Sequence, residues 1–255
     1  MAEVLSAERR ARIVERVRSE GCVRAAELSA EFGVSSDTIR RDLDELARAG
    51  LLARVHGGAL PPGPAAPGPY AARRRRDVAA KAEIARAAAA LARDGQVIVL
   101  DGGTTTVEVA RCLAPELRAD VVTNSPPVAV ALADRPGVVV TLVGGCLRPE
   151  ALVTVGAETV AALQGVRADL CYLGVCALHP EIGITCTDLE ERHVKRAMID
   201  GSAQVVALAN AEKLGTAGPY VIGELGDLTH LVTERSAPRA VVEPYRALGI
   251  EVVRA

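Results

Sequence analysis

Apolar residues in the first fifty positions recur with the spacing of one face of an α-helix. This period predicts three helices, at residues 6–19, 23–32 and 35–49. In the third, Ile39, Leu43 and Leu46 share one face of the helical wheel. Ser35 before it is a suitable N-cap, and Gly50 after it is a suitable stop.

A short apolar stretch and a proline-rich stretch follow the third helix. Residues 51–60, LLARVHGGAL, place a Gly-Gly pair between two apolar runs, which predicts a two-stranded wing. Residues 59–69 hold five prolines and two glycines among eleven residues, a composition suited to neither a helix interior nor a central strand. We therefore predict a linker between an N-terminal and a C-terminal domain, with the division 1–58, 59–76 and 77–255.

Beyond the linker, runs of Val, Leu and Ile alternate with helical patterns. Strands are predicted at residues 96–100, 120–123, 138–143, 169–175, 204–209, 230–232 and 250–253. Helices are predicted between them at residues 78–93, 104–113, 127–133, 158–164, 188–199 and 239–247. Near-continuous apolar strands of this kind are typical of a mostly parallel sheet covered by helices on both faces. The expected fold class is a helical N-terminal domain with a wing, followed by an α/β domain.

The composition of the 255 residues is that of a globular protein, with 49% hydrophobic residues, 24% charged residues and a formal net charge of -2. No apolar run approaches the roughly 18 residues of a membrane span, so we expect no membrane partner. Six cysteines without a C-x-x-C pair indicate reduced thiols in a cytoplasmic protein, not disulfides or zinc ligands. Arginine greatly outnumbers lysine, so Lys81, Lys195 and Lys213 stand out.

The three-residue turn 33–35 between the second and third helices is typical of a helix-turn-helix. The third helix presents a polar surface formed by Ser36, Asp37, Thr38, Arg40 and Arg41. Arginine suits bidentate contact with guanine or phosphate, and hydroxyls at a helix start suit phosphate oxygens. The pattern favours DNA binding. The alternative is a helical packing domain with a solvated charged face. The ten arginines and ten acidic residues of residues 1–58 give no net charge, which suits this alternative.

A second motif, QVIVLDGGTTT at residues 96–106, carries a predicted strand into a predicted helix. Its candidate ligand contacts are Asp101, Gly102, Gly103, Thr104, Thr105 and Thr106. Backbone N–H groups at a helix start bind anions, and glycines let a ligand approach the backbone. The motif is neither G-x-G-x-x-G nor a Walker loop, so it favours a phosphate monoester over a dinucleotide or nucleoside triphosphate. An ordinary strand-to-helix turn is the alternative. We expect no cofactor and no metal.

Polar groups and glycines also follow neighbouring strands, and we add Asn124, Gly145 and Lys213 to this candidate site. The carboxyl ends of parallel strands line the ligand crevice of an open sheet, and lysine is a point-charge partner for phosphate. Lys195 stands four residues after Glu191, which predicts a routine helical ion pair. Lys81 is expected at the surface.

The N-terminal residues resemble the DNA-binding domain of the DeoR family of bacterial repressors. The resemblance covers residues 8–60, including SSDTIRRDLDEL and the RVHGG segment. It implies a winged helix-turn-helix in which Ser36, Thr38, Arg40 and Arg41 face DNA. It also implies that Arg54 and His56 lie at the wing.

Residues 73–255 resemble the DeoR-type effector domain, through LDGGTTT, VVTNS, LVGGCLR and the ANAEKLG segment. That domain is similar to the sugar-phosphate isomerase and CoA-transferase superfamily. All three lysines fall on family positions, which implies a ligand contact for Lys213 and a structural or ligand-adjacent place for the other two. Asn210 stands where the family usually has Asp, and Cys176 falls where it usually has an Ala-Asp-Gly stretch, so effector identity does not carry over.

These observations together predict a transcription regulator, a repressor of sugar-metabolism genes that leaves its operator DNA when a phosphorylated sugar binds. Activation in place of repression stays open. Palindromic operators imply a homo-oligomer, a dimer or a tetramer. We expect no enzymatic activity. One alternative is an isomerase-like enzyme with an appended DNA-binding domain, for which Asp101 is the strand-end acid beside the phosphate loop. Another is a constitutive DNA binder with a degenerate pocket.

Overall fold

The structure is a computed structural model that describes residues 6–55, 57–61 and 68–255. His56, which the family resemblance places at the wing, lies outside the described residues, as do residues 62–67 of the predicted linker. Among the described residues, no helix combines the length and the apolarity needed to cross a membrane.

The N-terminal region is a three-helix unit with a small sheet. Its elements are α1 (Ser6–Glu20), β1 (Val23–Arg24), α2 (Ala25–Phe32), α3 (Ser36–Arg48), β2 (Ala53–Val55) and β3 (Gly58–Leu60). The apolar faces of the three helices meet in one core, where Ile13, Leu28 and Leu43 are fully buried. Gly33 ends α2 in the left-handed conformation with φ 64°, which allows the sharp turn into α3.

The wing has three strands, where the sequence predicted two. Strand β3 lies in the middle, and it pairs with β2 on one side and with β1 on the other. Ala59 and Leu60, which the sequence analysis assigned to the linker, are therefore wholly buried in a central strand. That expectation was wrong because the first proline is residue 61, and Ala59 keeps the N–H group that a ladder requires. Residues 23 and 24 form a strand where a helix was predicted.

The C-terminal region contains seven helices and twelve strands among its described residues. The helices are α4 (Tyr70–Arg75), α5 (Val78–Ala89), α6 (Thr104–Cys112), α7 (Pro126–Leu132), α8 (Ala157–Gln164), α9 (Leu189–Asp200) and α10 (Arg239–Ala247). The strands are β4 (Val97–Leu100), β5 (Ala119–Thr123), β6 (Val138–Leu142), β7 (Cys146–Arg148), β8 (Val153–Val155), β9 (Ala168–Gly174), β10 (Ala177–His179), β11 (Gly183–Cys186), β12 (Ser202–Leu208), β13 (Tyr220–Gly223), β14 (His230–Thr233) and β15 (Glu251–Arg254). Helix α4 lies within the predicted linker.

Seven strands form one sheet in the order β15-β14-β12-β9-β4-β5-β6, and every neighbouring pair is parallel. Side chains alternate between its faces: Leu170 and Tyr172 of β9 pack with α5, α6 and α7, whereas Cys171 and Leu173 pack with α8, α9 and α10. This confirms the expected parallel sheet covered on both faces. Two small sheets, β10-β11-β13 and β7-β8, were not predicted.

The order of strands reverses between β4 and β9. From β4 the chain proceeds through β5 to β6 in one direction, and from β9 through β12 and β14 to β15 in the other. Helix α6 leaves the carboxyl end of β4, so a crevice opens beside the carboxyl ends of these two strands. Crevices at such a switch point are the usual ligand sites of open parallel sheets.

Candidate functional site

The crevice at the switch point is a cavity of about 300 Å³, which we call the inner cavity. Its wall includes all of residues 102–106, together with Arg73, Arg148, Glu191, Lys195 and Lys213. A second, wider cavity of about 690 Å³ shares Arg73, Thr104, Thr105 and Lys213 with the first. We call it the wing-side cavity, because Gly50, Leu52 and Ala53 beside strand β2 also line it. Volumes of this order accommodate small-molecule ligands.

The glycine-threonine loop forms the start of helix α6, as the sequence predicted. Gly103 is the N-cap residue of α6 and has φ 136°, a backbone conformation that residues with a Cβ atom rarely adopt. Thr106 Oγ1 donates to Gly103 O at 2.8 Å, which closes the first turn. The early N–H groups of a helix have no partner within the helix, and the helix dipole makes this end positive. The loop therefore presents donors and positive potential to both cavities.

Cationic side chains converge on the same place. Lys213 Nζ donates to Val175 O at 2.8 Å and lines both cavities. Burial lowers the pKa of Lys213, and Cys176 opposes this shift. The positive charges of Arg73, Lys195 and Lys81 lower the pKa of Lys213 further. Mutually repelling cations beside a helix N-terminus are stabilised when an anion binds among them.

The other two lysines have structural contacts. Lys81 Nζ donates to the backbone carbonyls of Arg73 and Arg76 at the end of α4, so it orients the helix that carries Arg73. Lys195 pairs with Asp101 and donates to Gly174 O at 2.8 Å, and its side chain is only 4% exposed. Burial would lower the pKa of Lys195, but Asp101 and Glu191 outweigh it and raise the pKa above its ordinary value. Its expected pair with Glu191 is present at 3.9 Å, as the weaker contact.

Asp101 lies behind the loop and does not line either cavity. One carboxylate oxygen accepts from Gly102 N at 2.7 Å, and the other accepts from Gly174 N at 2.9 Å and from Lys195. A Cβ on Gly174 would lie 2.6 Å from Gly102 O, so the close approach of β9 to the loop requires glycine. Asp101 therefore holds the loop in place through three accepted hydrogen bonds.

Asn124 and Gly145 also lie away from both cavity walls. Asn124 is 1% exposed, and its Nδ2 donates to Thr154 O at 2.9 Å, which fixes strand β8. Gly145 has no room for a side chain, since a Cβ would lie 2.7 Å from Val155 O. Both residues shape the segment from β7 to α8.

Several cavity residues were not among the predicted contacts, including Arg73, Arg148, Cys176 and Glu191. Arg73 is held by α4, and its Nη2 donates to Glu150 O at 3.2 Å across the inner cavity. Arg148 ends the LVGGCLR segment, and its Nε is buried without a hydrogen-bond partner among the described residues. Arg148 follows a predicted strand end, where crevice residues are expected, whereas Arg73 was marked only by its match to the effector domain.

The second candidate surface is formed by helix α3. Ser35 is its N-cap, and its Oγ accepts from Thr38 N at 3.2 Å. The apolar face packs inward, which leaves Ser36, Asp37, Arg40 and Arg41 exposed.

Two ion pairs hold this surface in place. Arg9 Nε donates to the buried Asp42 at 2.6 Å and joins α3 to α1. Arg54 Nε lies 3.1 Å from Asp44, which connects β2 to the same helix. Arg40 Nη1 lies 3.3 Å from the exposed Asp37. A short helix held this firmly, with its arginines exposed and a wing beside it, has the geometry that enters the major groove of DNA.

The molecule thus joins a winged helix-turn-helix to an α/β domain with a cation-lined cavity, the organisation of a ligand-responsive transcription regulator. The DeoR-like helix-turn-helix domain matches residues 9–62, and the DeoR C terminal sensor domain matches residues 76–235. The chain belongs to the DeoR family.

Curated relatives are similar along nearly the whole chain. The HTH-type transcriptional regulator GlpR of Haloferax volcanii is 34% identical over 98% of both chains. The glycerol-3-phosphate regulon repressor of Escherichia coli K12 is 31% identical over 91% of this chain and 92% of its own. Among solved structures, ribose 5-phosphate isomerase A of Methanocaldococcus jannaschii aligns over 52% of each chain, with 16% identity and a TM-score of 0.39, which carries no argument about activity.

Proposed function

We propose that this DeoR-family regulator is a repressor of sugar-metabolism genes, and that a phosphorylated sugar releases it from operator DNA. The observation that carries the proposal is the convergence of Arg73, Lys213 and the N-terminus of α6 on the inner cavity. Charge-assisted hydrogen bonds of this kind suit a phosphate dianion. A relative named as a glycerol-3-phosphate regulon repressor supports the same ligand class.

The proposed contacts are the loop residues Gly102, Gly103, Thr104, Thr105 and Thr106, with Lys213 as the cation beside them. On the DNA side they are Ser36, Asp37, Thr38, Arg40, Arg41, Arg54 and His56. We propose that the DNA-binding part acts as a dimer or tetramer in the cytoplasm, and that the linker between the two matched domains transmits the ligand-induced change. We propose no catalytic role, since the carboxylate of Asp101 already accepts from three donors.

The test begins with DNA selected from a random pool by the full chain. Fluorescence anisotropy then follows release of that DNA by glucose 6-phosphate, ribose 5-phosphate and glycerol 3-phosphate, each beside its unphosphorylated parent. We expect at least one phosphate ester to release the DNA and its parent to fail. Lys213→Met should require about tenfold or more ester while binding DNA normally, because it removes a charge-assisted contact. Arg86→Met on the exposed face of α5 is the matched control. Release by the parent sugar at the same concentration would refute the proposal.

A further inference from the structure

Glu191 is a largely buried carboxylate in the wall of the inner cavity. It lies in the first turn of α9 and lines the inner cavity. Its side chain is 20% exposed, so it is largely withdrawn from water yet reachable from the cavity. Burial raises the pKa of Glu191, the charges of Asp101 and Asp188 raise it further, and Lys195 and Arg73 oppose the rise without reversing it.

The contacts of Lys195 explain why. Its ammonium group pairs with Asp101 and donates to Gly174 O, whereas Glu191 Oε2 stands 3.9 Å away, beyond hydrogen-bond distance. Across residues 6–55, 57–61 and 68–255, we find no hydrogen bond to the Glu191 carboxylate. Asp188 differs, since its Oδ1 already accepts from the backbone N–H of Glu191 at 3.0 Å. Glu191 thus has unused acceptor capacity in the wall of a cavity that the glycine-threonine loop, Arg73 and Lys213 also line.

We infer that Glu191 accepts a hydrogen bond from an uncharged hydroxyl group of the ligand, and that it excludes phosphate esters bearing a carboxylate. The inference rests on the proposed function, because the phosphate at the loop is what brings the remainder of the ligand to Glu191. A hydroxyl group satisfies the acceptor and offsets its desolvation. A ligand carboxylate there would place two like charges together in a poorly hydrated cavity. The site therefore selects phosphorylated polyols and sugars over phosphorylated acids.

Matched ligand pairs test this on the full chain by isothermal titration calorimetry. The pairs are glucose 6-phosphate with 6-phosphogluconate, and glycerol 3-phosphate with 3-phosphoglycerate, and inorganic phosphate reports the loop alone. The wild type should bind the uncharged member of at least one pair about tenfold more tightly than the acid. Glu191→Gln should weaken the uncharged member, strengthen the acid and so reduce their ratio about tenfold, because a charged acceptor becomes neutral. The affinity for inorganic phosphate should change by less than about threefold.

Glu190→Gln is the control, since Glu190 occupies the same first turn of α9 and does not line either cavity. It should leave the ratio unchanged. An unchanged ratio in a folded Glu191→Gln protein, or equal weakening of all probes including inorganic phosphate, would overturn the inference. Phosphate-ester binding by the wild type would still support the proposed function in either case. If neither inorganic phosphate nor any ester binds the wild type, the proposed function fails and this inference fails with it.

Discussion

The ion pair between Lys195 and Asp101 allows the sharpest prediction about stability. Their side chains are 4% and 2% exposed, so removing either partner leaves a buried charge without compensation. Loss of one member of a buried pair costs about 3–5 kcal/mol. In a domain of this size each kcal/mol lowers the Tm by about 2–4 °C, so Lys195→Met should lower the Tm of the C-terminal region by roughly 6–20 °C.

The chain offers a convenient probe for this measurement. It has no tryptophan, and its four tyrosines, residues 70, 172, 220 and 245, all lie beyond the winged helix-turn-helix. Near-ultraviolet circular dichroism of tyrosine therefore follows the C-terminal region alone. Arg86→Met is the control, because it removes a cation from an exposed helix face, where substitutions usually change stability by less than about 0.5 kcal/mol.

A double-mutant cycle identifies the cause of the loss. Asp101→Asn alone should be at least as harmful as Lys195→Met, because the amide cannot accept from both Gly102 N and Gly174 N and leaves Lys195 charged. The double variant should be less destabilised than the sum of the two single variants, since neither member of the Lys195–Asp101 pair is then left without its partner. A Tm of Lys195→Met within about 2 °C of the Arg86→Met control would refute the reasoning.

Three further outcomes are expected. Arg41→Ala and Arg40→Ala should each weaken DNA binding by about 1–3 kcal/mol in an anisotropy titration, and wild-type affinity in both would remove helix α3 from the interface. The affinity for sulfate, which stays a dianion, should increase as the pH falls from 10 towards 7. The pKa of Lys213 is lowered in the free protein, and a bound anion favours its protonated form. Lys213→Met should flatten this pH dependence. Glu191→Gln should raise the Tm at neutral pH, and this gain in Tm should vanish as the pH falls. The raised pKa of Glu191 means that only its charged form destabilises the fold. A gain in Tm that does not depend on pH would contradict this cause.

Local patterns predicted the parts of the structure that depend on neighbouring residues. The apolar stripe of α3, its Ser35 cap and the glycine-threonine start of α6 each follow from a few consecutive side chains. Helix α10 was predicted with its observed limits, 239–247. Several short strands, such as β7 and β10, were missed because their three side chains are too few to establish a period.

Contacts between distant segments could not be predicted in this way. Helical spacing identified Glu191 as the partner of Lys195, but the strand order places Asp101, 94 residues away, closer to it. Asn124 follows a strand as a ligand contact would, yet its amide is used to hold Thr154 on another segment. In both cases the polar residue was recognised, and the group that it contacts was set by the sheet topology.

The position of β3 has a consequence for how the protein is made. Strand β1 opens the small sheet at Val23, but its only hydrogen-bonded neighbour among the described strands is β3, whose last residue is Leu60. A nascent chain that has left the ribosome only as far as residue 57 therefore holds all three helices but lacks the strand that joins both sides of the wing. The DNA-binding unit becomes complete once Leu60 has left the ribosome, before the first strand of the large sheet, which begins at Val97, has emerged, so it can fold ahead of the ligand-binding half.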